Sequence, residues 1–364
     1  MHIGFDARYI RVDHHDGISR FSSRVGSALA SLVEQNRVDR VTFIVSDERQ
    51  LQHLPAGSVH VFANAPTSVR EGSIAKRLNR HGFDVVYSPM QTIGSRGRMF
   101  RLVVTVHDLI YYTHRMPPRG FNIFVRALWR LYHLSWWPQR LLLNRADHVV
   151  AVSHTTANLI AQKKLTRGGV SVVYNATDLS SGSLDLARST SSRENAVVYM
   201  GSFMPYKNVE TLVRAANLLP ETNFVFLSKI DRSDEERLSA GAVHSNLVFA
   251  HGVSDEEYTE YLLSARALVT ATRDEGFGIP VLEAMALGTP VVCSDIPIFR
   301  EIGGDAPLLV PTEDARAFAD AISALSSETV FERQRQFGLS RAKEFSWDAS
   351  ASELLDVLNK VCGT

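Results

Sequence analysis

Two glutamates separated by seven residues stand in the segment of the chain with the clearest chemical potential. Glu275 precedes a turn with two glycines, and Glu283 lies one turn into the helix predicted to follow. Glycine permits a tight turn and close backbone approach to a ligand, and the amides that open a helix bind anions. We therefore expect a diphosphate at the amides of Phe277, Gly278 and Ile279, with the carboxylates accepting hydrogen bonds from sugar and ribose hydroxyls. The alternative is a glycine-rich loop with two solvated glutamates.

A lysine at the start of another predicted helix indicates a second phosphate contact. The motif runs from Gly201 and Ser202 to Lys207 and Asn208, directly after a predicted strand. Asn208 is a suitable N-cap for the helix that follows. A cation does not stabilise the positive end of a helix. A phosphate lying between the ammonium and the helix amides would explain why a lysine stands there. A solvated lysine is the competing interpretation.

Two segments in the first half of the chain also follow predicted strands. His107 ends one strand and is suited to bonding a substrate hydroxyl or moving a proton, with Asp108 as a residue that could orient it. A structural His–Asp pair is the alternative. The loop 13–16 holds four metal-ligand side chains, but adjacent residues rarely converge on one ion. We expect this loop to line a cleft between two domains, with Gly17 close to phosphate or sugar. We predict no metal site.

The elements that must position these residues alternate between short strands and helices. The apolar runs are continuous, which is typical of strands buried on both faces of a parallel sheet. This pattern predicts the α/β class, with two doubly wound, Rossmann-like domains whose ligands lie beyond the carboxyl ends of the strands. The predicted strands are 3–6, 41–46, 85–88, 102–106, 148–152, 170–174, 196–200, 224–228, 247–250, 267–270 and 290–293.

The domain limits follow from composition. Residues 179–194 belong to a serine-rich stretch without apolar periodicity, which is typical of a linker. We therefore predict one domain over 1–178 and a second over 195–335. Residues 336–364 are predicted to form closing helices that pack back toward the first domain.

Charge is distributed unevenly along this 364-residue chain. Its 39 basic and 39 acidic residues cancel, but residues 1–178 hold 23 basic and 12 acidic side chains, a net charge of +11, and the remainder carries −11. The first half thus suits an anionic partner, or the two domains simply attract each other. Two cysteines are too few for a disulfide scaffold, and no apolar run is long enough to span a membrane. The start of the chain lacks the features of a signal peptide, so we expect a cytoplasmic protein.

Residues 115–145 combine six arginines with aromatic side chains and no acidic residue. Basic and aromatic residues together are typical of a membrane interface, where arginine meets anionic headgroups and tryptophan lies at the boundary. A core helix with a few surface arginines is the alternative. Nucleic acid is not expected as a partner, because no recognition module is evident. The residues of this segment therefore suit an anionic membrane surface.

The chain also lacks the G-x-G-x-x-G and P-loop motifs and any Asp-x-Asp. Ordinary dinucleotide and P-loop sites, and a diphosphate held by a metal, therefore lose support.

With these motifs the sequence resembles the family 4 retaining glycosyltransferases of the GT-B fold, and the resemblance covers essentially the whole chain. Glu275 to Glu283 matches the Glu-x7-Glu signature of that family, and 107–108 and 207–208 fit in order. The resemblance implies two domains facing across a cleft, with acceptor binding in 1–178 and nucleotide-sugar binding in 195–335. It further implies a peripheral enzyme on the inner face of the plasma membrane. It also implies transfer of a sugar from a nucleotide donor with retention of configuration and without a metal or other cofactor.

The resemblance also assigns roles. Lys207 would neutralise the donor diphosphate, Glu283 would hold the ribose, and Glu275 would contact the hexose, with His107 beside the reacting sugar. Gly17 would let its loop approach the phosphates, and Val253 would lie near the base. Many relatives carry an arginine at the position of Ser202 and a basic residue at that of Tyr206. Diphosphate binding is therefore expected to depend more on Lys207, or on an arginine elsewhere.

The similarity favours mannose from GDP-mannose as the donor, with UDP-linked hexoses next, and a glycan or lipid-linked acceptor. The competing functions are a nucleotide-sugar epimerase of similar fold, a non-catalytic sugar-nucleotide-binding membrane scaffold, and a glycosidase that uses the two glutamates. The glycosidase fits poorly, because its carboxylates must flank the scissile bond rather than a phosphate site.

Overall fold

Continuous runs of β-branched residues form two parallel sheets. The computed structural model describes residues 1–13, 17–117, 122–179 and 194–363. Within these ranges the chain divides into two compact units, one made of Met1–Ala176 with Ser346–Thr364 and the other of Thr177–Phe345. Most of the predicted linker, 180–193, lies outside the described residues.

The sheet of the first unit is doubly wound. In the described part of the chain it has seven parallel strands in the order β3-β2-β1-β4-β5-β6-β7. The order reverses between β1 and β4, and ligands of such sheets bind beyond the carboxyl ends at this switch point. The strands are β1 (His2–Asp6), β2 (Arg40–Val45), β3 (His60–Phe62), β4 (Val85–Ser88), β5 (Arg101–Val106), β6 (His148–Ala151) and β7 (Gly169–Val172).

The sheet of the second unit repeats this winding. Its six described strands are parallel, in the order β10-β9-β8-β11-β12-β13, with the switch point between β8 and β11. The lysine motif follows β8 and the glutamate motif follows β11, so the two motifs emerge from neighbouring strands. The strands are β8 (Ala196–Tyr199), β9 (Asn223–Phe226), β10 (Leu247–Phe249), β11 (Ala267–Thr270), β12 (Val291–Ser294) and β13 (Leu308–Val310).

Helices connect the strands of both sheets. In the first unit these are α1 (Gly17–Glu34), α2 (Ile74–Leu78), α3 (Ile110–Thr113), α4 (Ile123–Tyr132), α5 (Trp137–Leu143) and α6 (His154–Gln162). In the second unit they are α7 (Val209–Ala216), α8 (Arg232–Ser239), α9 (Asp255–Ser264), α10 (Ile279–Leu287), α11 (Pro297–Gly303), α12 (Ala315–Ala324) and α13 (Glu328–Ala342). Helix α14 (Trp347–Cys362) then returns to the first unit.

The cores lie on the faces of the sheets. Alternate residues of one strand enter opposite clusters, so that Val103 packs with Phe5 and Tyr87 on one face while Val104 packs with Val86 on the other. Helix α14 supplies the first of these faces with Leu354 among other residues. The second unit has its own cluster, which includes Phe224, Phe226, Val269 and Phe318.

The division of the chain differs in detail from the predicted domains. The units meet at 176/177 and 345/346 instead of 178/179 and 335/336. The predicted boundary after residue 335 falls inside α13, which packs on α10 of the second unit, whereas α14 packs on α1 of the first. The segment 336–364 therefore does not form one set of closing helices.

Among the described residues, no helix combines the length and the hydrophobicity that a membrane span requires.

Candidate active site

The lysine and glutamate motifs of the second unit converge in an ion pair. The Lys207 ammonium contacts the Glu275 carboxylate, although the two residues are 68 positions apart. The side chains are 14% and 22% exposed, so both are largely removed from water. The Tyr206 ring lies under the ammonium, with 5.3 Å between Nζ and the ring centroid. The structure thus brings together the cation and the carboxylate that the sequence places on separate loops.

The charge state of this pair follows from its surroundings. Burial lowers the pKa of Lys207, but the negative charge of Glu275, with the tyrosines 199 and 206, outweighs it, so this pKa lies above its usual range. Burial raises the pKa of Asp274 to about 6; the adjacent Glu275 adds to the rise, while the Glu275 amide and Lys207 oppose it. Lys207 is therefore cationic at neutral pH, next to two carboxylates.

The loop that carries Lys207 is fixed by Arg273. Its guanidinium donates to the Pro205 carbonyl at 2.6 Å and to Asn208 Oδ1 at 2.8 Å, and it pairs with Glu313. The Arg273 amide also donates to the Tyr206 carbonyl at 2.8 Å. These contacts hold 205–208 from the side of β11. Arg273 therefore anchors the lysine loop.

Asn208 does not cap α7 in the predicted way. Its backbone is left-handed, with φ 54° and ψ 38°, and its side chain makes no capping bond to the helix amides. Instead Nδ2 donates to the Thr312 carbonyl at 2.9 Å, and Oδ1 accepts from Thr211 as well as from Arg273. Asparagine tolerates this conformation better than most residues. The buried Asn208 therefore turns the chain after Lys207.

The glycine turn places the start of α10 beside the ion pair. Gly278 has φ 93°, a conformation that side chains rarely adopt, and a Cβ built there would lie 2.8 Å from the Phe299 ring and 3.9 Å from Glu275 Cγ. Phe277 is buried, and its ring meets Phe345 edge-on at 6.0 Å. Ile279 opens α10, and Gly288 ends it with φ 75°. The positive end of this helix thus adjoins Glu275, as the glycine spacing predicts.

Glu283 lies deeper in the same unit. It is 4% exposed on α10, and its Oε2 accepts a hydrogen bond from the Tyr258 hydroxyl of α9 at 2.9 Å. Tyr258 orients one carboxylate oxygen of the residue to which ribose binding is assigned. Tyr258 could not be predicted from the sequence, since a tyrosine among the acidic residues that open α9 does not indicate a binding site.

The remaining residues that are predicted to bind the nucleotide-sugar lie on loops after β8 and β10. The Gly201 amide donates to Ser228 Oγ at 3.0 Å, and the Ser202 carbonyl accepts from the Tyr199 hydroxyl at 2.6 Å. Val253 is half-buried, two residues before α9. Ser202 therefore makes a backbone contact within its own loop, and the arginine of many relatives has no equivalent at this position.

His107 and Asp108 lie at the carboxyl end of β5 in the first unit. His107 Nε2 is 2.9 Å from the Pro89 carbonyl, and its ring meets Phe21 edge-on at 5.1 Å. A carbonyl only accepts, so Nε2 carries a proton and the acceptor of the neutral ring is Nδ1. Asp108 Oδ1 accepts from the Ile110 amide, the first of α3, at 3.1 Å, although the N-cap residue of that helix is Leu109. Gly17 opens α1, as predicted, whereas His14, His15 and Asp16 lie outside the described residues.

The basic aromatic segment 115–145 is described except for 118–121. Helix α4 has no buried residue, which contradicts the core-helix alternative for this part. Arg126 and Arg130 lie on α4 together with exposed apolar side chains, and α5 contributes the exposed Trp137. The described segment is therefore a surface that is both basic and apolar.

Comparison with known families agrees with this geometry. A model described as "Glycosyltransferase Family 4" matches residues 15–181, and one described as "Glycosyl transferases group 1" matches residues 186–343. The chain belongs to the family 4 glycosyltransferases. The two matches cover both units and include the histidine, lysine and glutamate motifs of this family 4 chain.

Two relatives of this family 4 glycosyltransferase are named as O-antigen chain mannosyltransferases. It is 28% identical to the O-antigen chain mannosyltransferase RfbU of Salmonella typhimurium over 60% of this chain and 59% of that protein. It is also 28% identical to O-antigen chain mannosyltransferase B of Escherichia coli over 71% of this chain and 70% of that one. The matched segment is thus about 60–70% of the length of these relatives.

Solved structures share the fold. A sucrose-phosphate synthase from Thermosynechococcus elongatus superposes with a TM-score of 0.73 at 18% identity, over 99% of this chain and 98% of that one. The two α/β units of this family 4 glycosyltransferase are those of the GT-B fold.

Proposed function

We propose that the protein transfers a hexose from a nucleotide-sugar to an acceptor hydroxyl with retention of configuration, and that the donor is GDP-mannose. The observation that carries this proposal is the convergence of Lys207, Glu275 and the start of α10 in one place. A diphosphate needs positive charge and amide donors, and a hexose needs hydroxyl acceptors. The similarity to two mannosyltransferases supports the choice of sugar.

The ion pair gives each residue a distinct task. Glu275 is paired with the Lys207 ammonium. An incoming diphosphate competes for that cation, and the carboxylate, once released, accepts hydrogen bonds from the hexose hydroxyls. Lys207 then stabilises the charge that develops on the leaving diphosphate. The cation and the helix amides supply this stabilisation from the protein itself, so we expect the transfer to need no metal ion.

The reaction follows front-face attack. The bond between the anomeric carbon and the diphosphate oxygen breaks, and an oxocarbenium-like species forms. The acceptor hydroxyl enters from the same face, and the departing diphosphate takes its proton. His107 is proposed to contact the hexose, and Nδ1 is the nitrogen of its neutral ring that can accept a hydroxyl hydrogen bond.

Two substitutions separate these tasks. Lys207→Ala should lower both GDP binding and transfer, the latter about 10²–10³-fold, the usual cost of removing one charge-stabilising contact. Glu275→Ala should lower transfer to a similar extent. GDP should nevertheless bind at least as tightly as to the unmodified protein, because Lys207 is no longer paired with a carboxylate. Isothermal titration with GDP and GDP-mannose and a transfer assay measure both effects. Lys343→Ala, at an exposed lysine, is the control. Near-normal transfer and donor binding in both variants would refute the assignment.

The donor and the competing functions are tested with ligand panels. Thermal shifts with GDP, UDP, ADP and their sugar conjugates should be largest for GDP-mannose; a larger shift with a UDP-hexose would favour the second donor class. Conversion of the donor without acceptor would indicate the epimerase. Neither transfer nor donor hydrolysis would indicate the non-catalytic scaffold. The glycosidase predicts cleavage of a glycoside without nucleotide.

The surface 115–145 supports a lipid-linked acceptor, with a glycan acceptor as the alternative. Its exposed apolar side chains and arginines would lie on an anionic leaflet, at the cytoplasmic face of the plasma membrane. Flotation with anionic vesicles at low ionic strength should recover the protein, and neutral vesicles should recover less. Absence of binding to anionic vesicles would remove the membrane from this proposal.

A further inference from the structure

A cavity of about 640 Å³ lies in the first unit beside His107. Its volume is within the range of about 300–1,000 Å³ that is typical of sites for small molecules. It is bounded by the residues that follow β4 and β5, by helices α3 and α4, and by residues of α5. The lining belongs entirely to the described part of the chain, and it includes both His107 and Asp108.

The walls of this cavity are mainly apolar and aromatic. Aliphatic side chains from α4 and α5 contribute, notably Val125, Leu128 and Leu142. Tyr112 stacks on the Trp136 ring at 4.5 Å and 15° between planes, and Trp129 stacks on His133 at 3.9 Å. These stacked rings hold the walls apart.

Among the described residues, polar side-chain atoms at the walls lack hydrogen-bond partners, and two of them belong to glutamines. Gln139 is 2% exposed, and its Nε2 has no hydrogen-bond partner among the residues that the structure describes. The same holds, within those ranges, for Gln91 Oε1. Both glutamines line the cavity. A buried polar atom without a partner costs folding free energy, so these two glutamines are the polar exceptions in a mainly apolar wall.

Helix α4, which supplies part of the cavity wall, is also basic. Helix α4 carries Arg126 and Arg130 and no acidic residue. Neither arginine forms an ion pair within the described ranges, so both remain available to an anion at the surface. Apolar walls, a few polar atoms and external cations together describe the binding site of an anionic amphiphile.

We propose that this cavity binds the hydrocarbon tail of an acceptor that carries an anionic phosphate head, with the tail along the apolar walls that α4 and α5 supply and the head outside the cavity at the arginines of α4. The tail is an isoprenoid or an acyl chain, and both have the chemistry of the walls. The acceptor role rests on the proposed function, whereas the binding of an amphiphile does not. Tail binding in a cavity also differs from adsorption of the surface of 115–145 on a membrane.

A matched pair of substitutions on α4 tests this inference. Leu128 and Leu131 are 67% and 64% exposed on the same helix, but only Leu128 is among the cavity residues. Leu128→Glu should weaken binding of farnesyl phosphate and of dodecyl phosphate at least tenfold, and Leu131→Glu should change it less than twofold. Val125→Trp, which fills the cavity, should act like Leu128→Glu. Both helix positions are exposed enough to keep the fold, which circular dichroism checks.

The ligands distinguish the sources of the tail. Titration calorimetry gives the affinity of each phosphate for the full chain, and tryptophan fluorescence, to which Trp129 in the wall contributes, is a second readout. Tighter binding of farnesyl phosphate indicates an isoprenoid, and tighter binding of dodecyl phosphate indicates an acyl chain; either supports the inference. Glycerol phosphate is the control without a tail, and each buried methylene should add up to about fourfold in affinity.

Three results would overturn the inference. These are equal losses in the two glutamate variants, binding of glycerol phosphate as tight as that of the tailed ligands, and no saturable binding of either tailed ligand. Because these measurements omit the donor, they are independent of the Lys207 and Glu275 experiments. A protein that transfers sugar but binds no tailed phosphate would retain the proposed function and lose this inference.

Discussion

Lys207 and Glu275 illustrate what a largely buried ion pair means at the scale of single residues. Such a pair adds little stability, because the removal of both charges from water offsets much of their attraction. Asp274, which is next to the pair, makes the arrangement less favourable still, since a second carboxylate competes for one cation. This surplus of negative charge without donor is consistent with an ammonium that must release its carboxylate when a diphosphate arrives.

The surplus of negative charge at Asp274 can be measured through the pH dependence of stability. Its pKa is raised from 3.8 to about 6, so between these values the folded state binds more protons than the unfolded state. Stability contributed by this group is therefore lost as pH rises from about 4 to about 6. Asp274→Asn keeps an oxygen for the Glu275 amide and removes the charge. The melting temperature of this variant should exceed that of the unmodified protein by more at about pH 7.5 than at about pH 4.5.

The comparison between the two proteins is the control for this prediction, since all other titrating groups contribute equally to both. A melting difference for Asp274→Asn that stays constant across this range would show that the carboxyl titrates normally.

Residue types predicted the principal members of the site but not their support. Lys207, Glu275 and Gly278 could be selected because their chemistry is unusual at a helix start. Arg273 and Tyr258 could not, since an arginine or a tyrosine in a loop or helix has many possible partners. Asn208 shows the same limit, because its type fits an N-cap equally well and only the left-handed backbone excludes that bond.

At the scale of elements, the loop 205–208 depends on Arg273 of the neighbouring loop. A planar guanidinium can donate to the Pro205 carbonyl and to Asn208 at once, and lysine cannot reproduce this geometry. Arg273→Lys should weaken GDP binding about tenfold and lower the free energy of unfolding by about 1–3 kcal/mol, the range for hydrogen bonds to charged groups. Titration calorimetry and urea unfolding measure these effects.

Glu313→Gln is the matched control for the arginine. It removes the ion pair on the outer side of Arg273 but leaves the bonds to the loop, so GDP affinity should change less than twofold. A loss as large as that of Arg273→Lys would mean that the ion pair, and not the guanidinium fork, orders the loop.

The central strands were predictable, whereas two edge strands were not. Buried strands such as β4 and β12 are continuous apolar runs, and the sequence pattern locates them. β3 and β13 lie at the ends of their sheets and have only three residues each, with half-exposed positions. A run of three residues is too short to show the period of a strand, even where, as in β13, every residue is apolar.

At the scale of the whole molecule, the first unit depends on the last helix. Leu354 of α14 is fully buried in the core that Phe5 and Tyr87 share. Leu354→Ala should lower the free energy of unfolding of the first unit by about 2–5 kcal/mol. All four tryptophans of the chain, at 129, 136, 137 and 347, belong to this unit. Tryptophan fluorescence during urea unfolding therefore reports on it selectively.

A core substitution in the other unit is the control. Ile322 of α12 is fully buried in the second core, so Ile322→Ala should shift the circular dichroism transition more than the fluorescence transition. Equal shifts of the fluorescence transition in both variants would show that the two units unfold together. No shift with Leu354→Ala would show that α14 does not support the first core.

The sequence could not reveal this dependence. Amphipathic helices occur throughout 328–362, and their periodicity shows that one face is buried but not against which sheet. The assignment of α13 to one core and α14 to the other follows from packing between residues that are distant along the chain.

The path of the chain has a consequence for synthesis on the ribosome. The second unit is continuous, so it can complete its core before translation ends. The first unit begins earlier but needs α14, and its sheet must wait, with one face incompletely covered, for more than 160 residues to be translated. Nascent chains of this protein are therefore expected to expose that face to chaperones until α14 has left the exit tunnel.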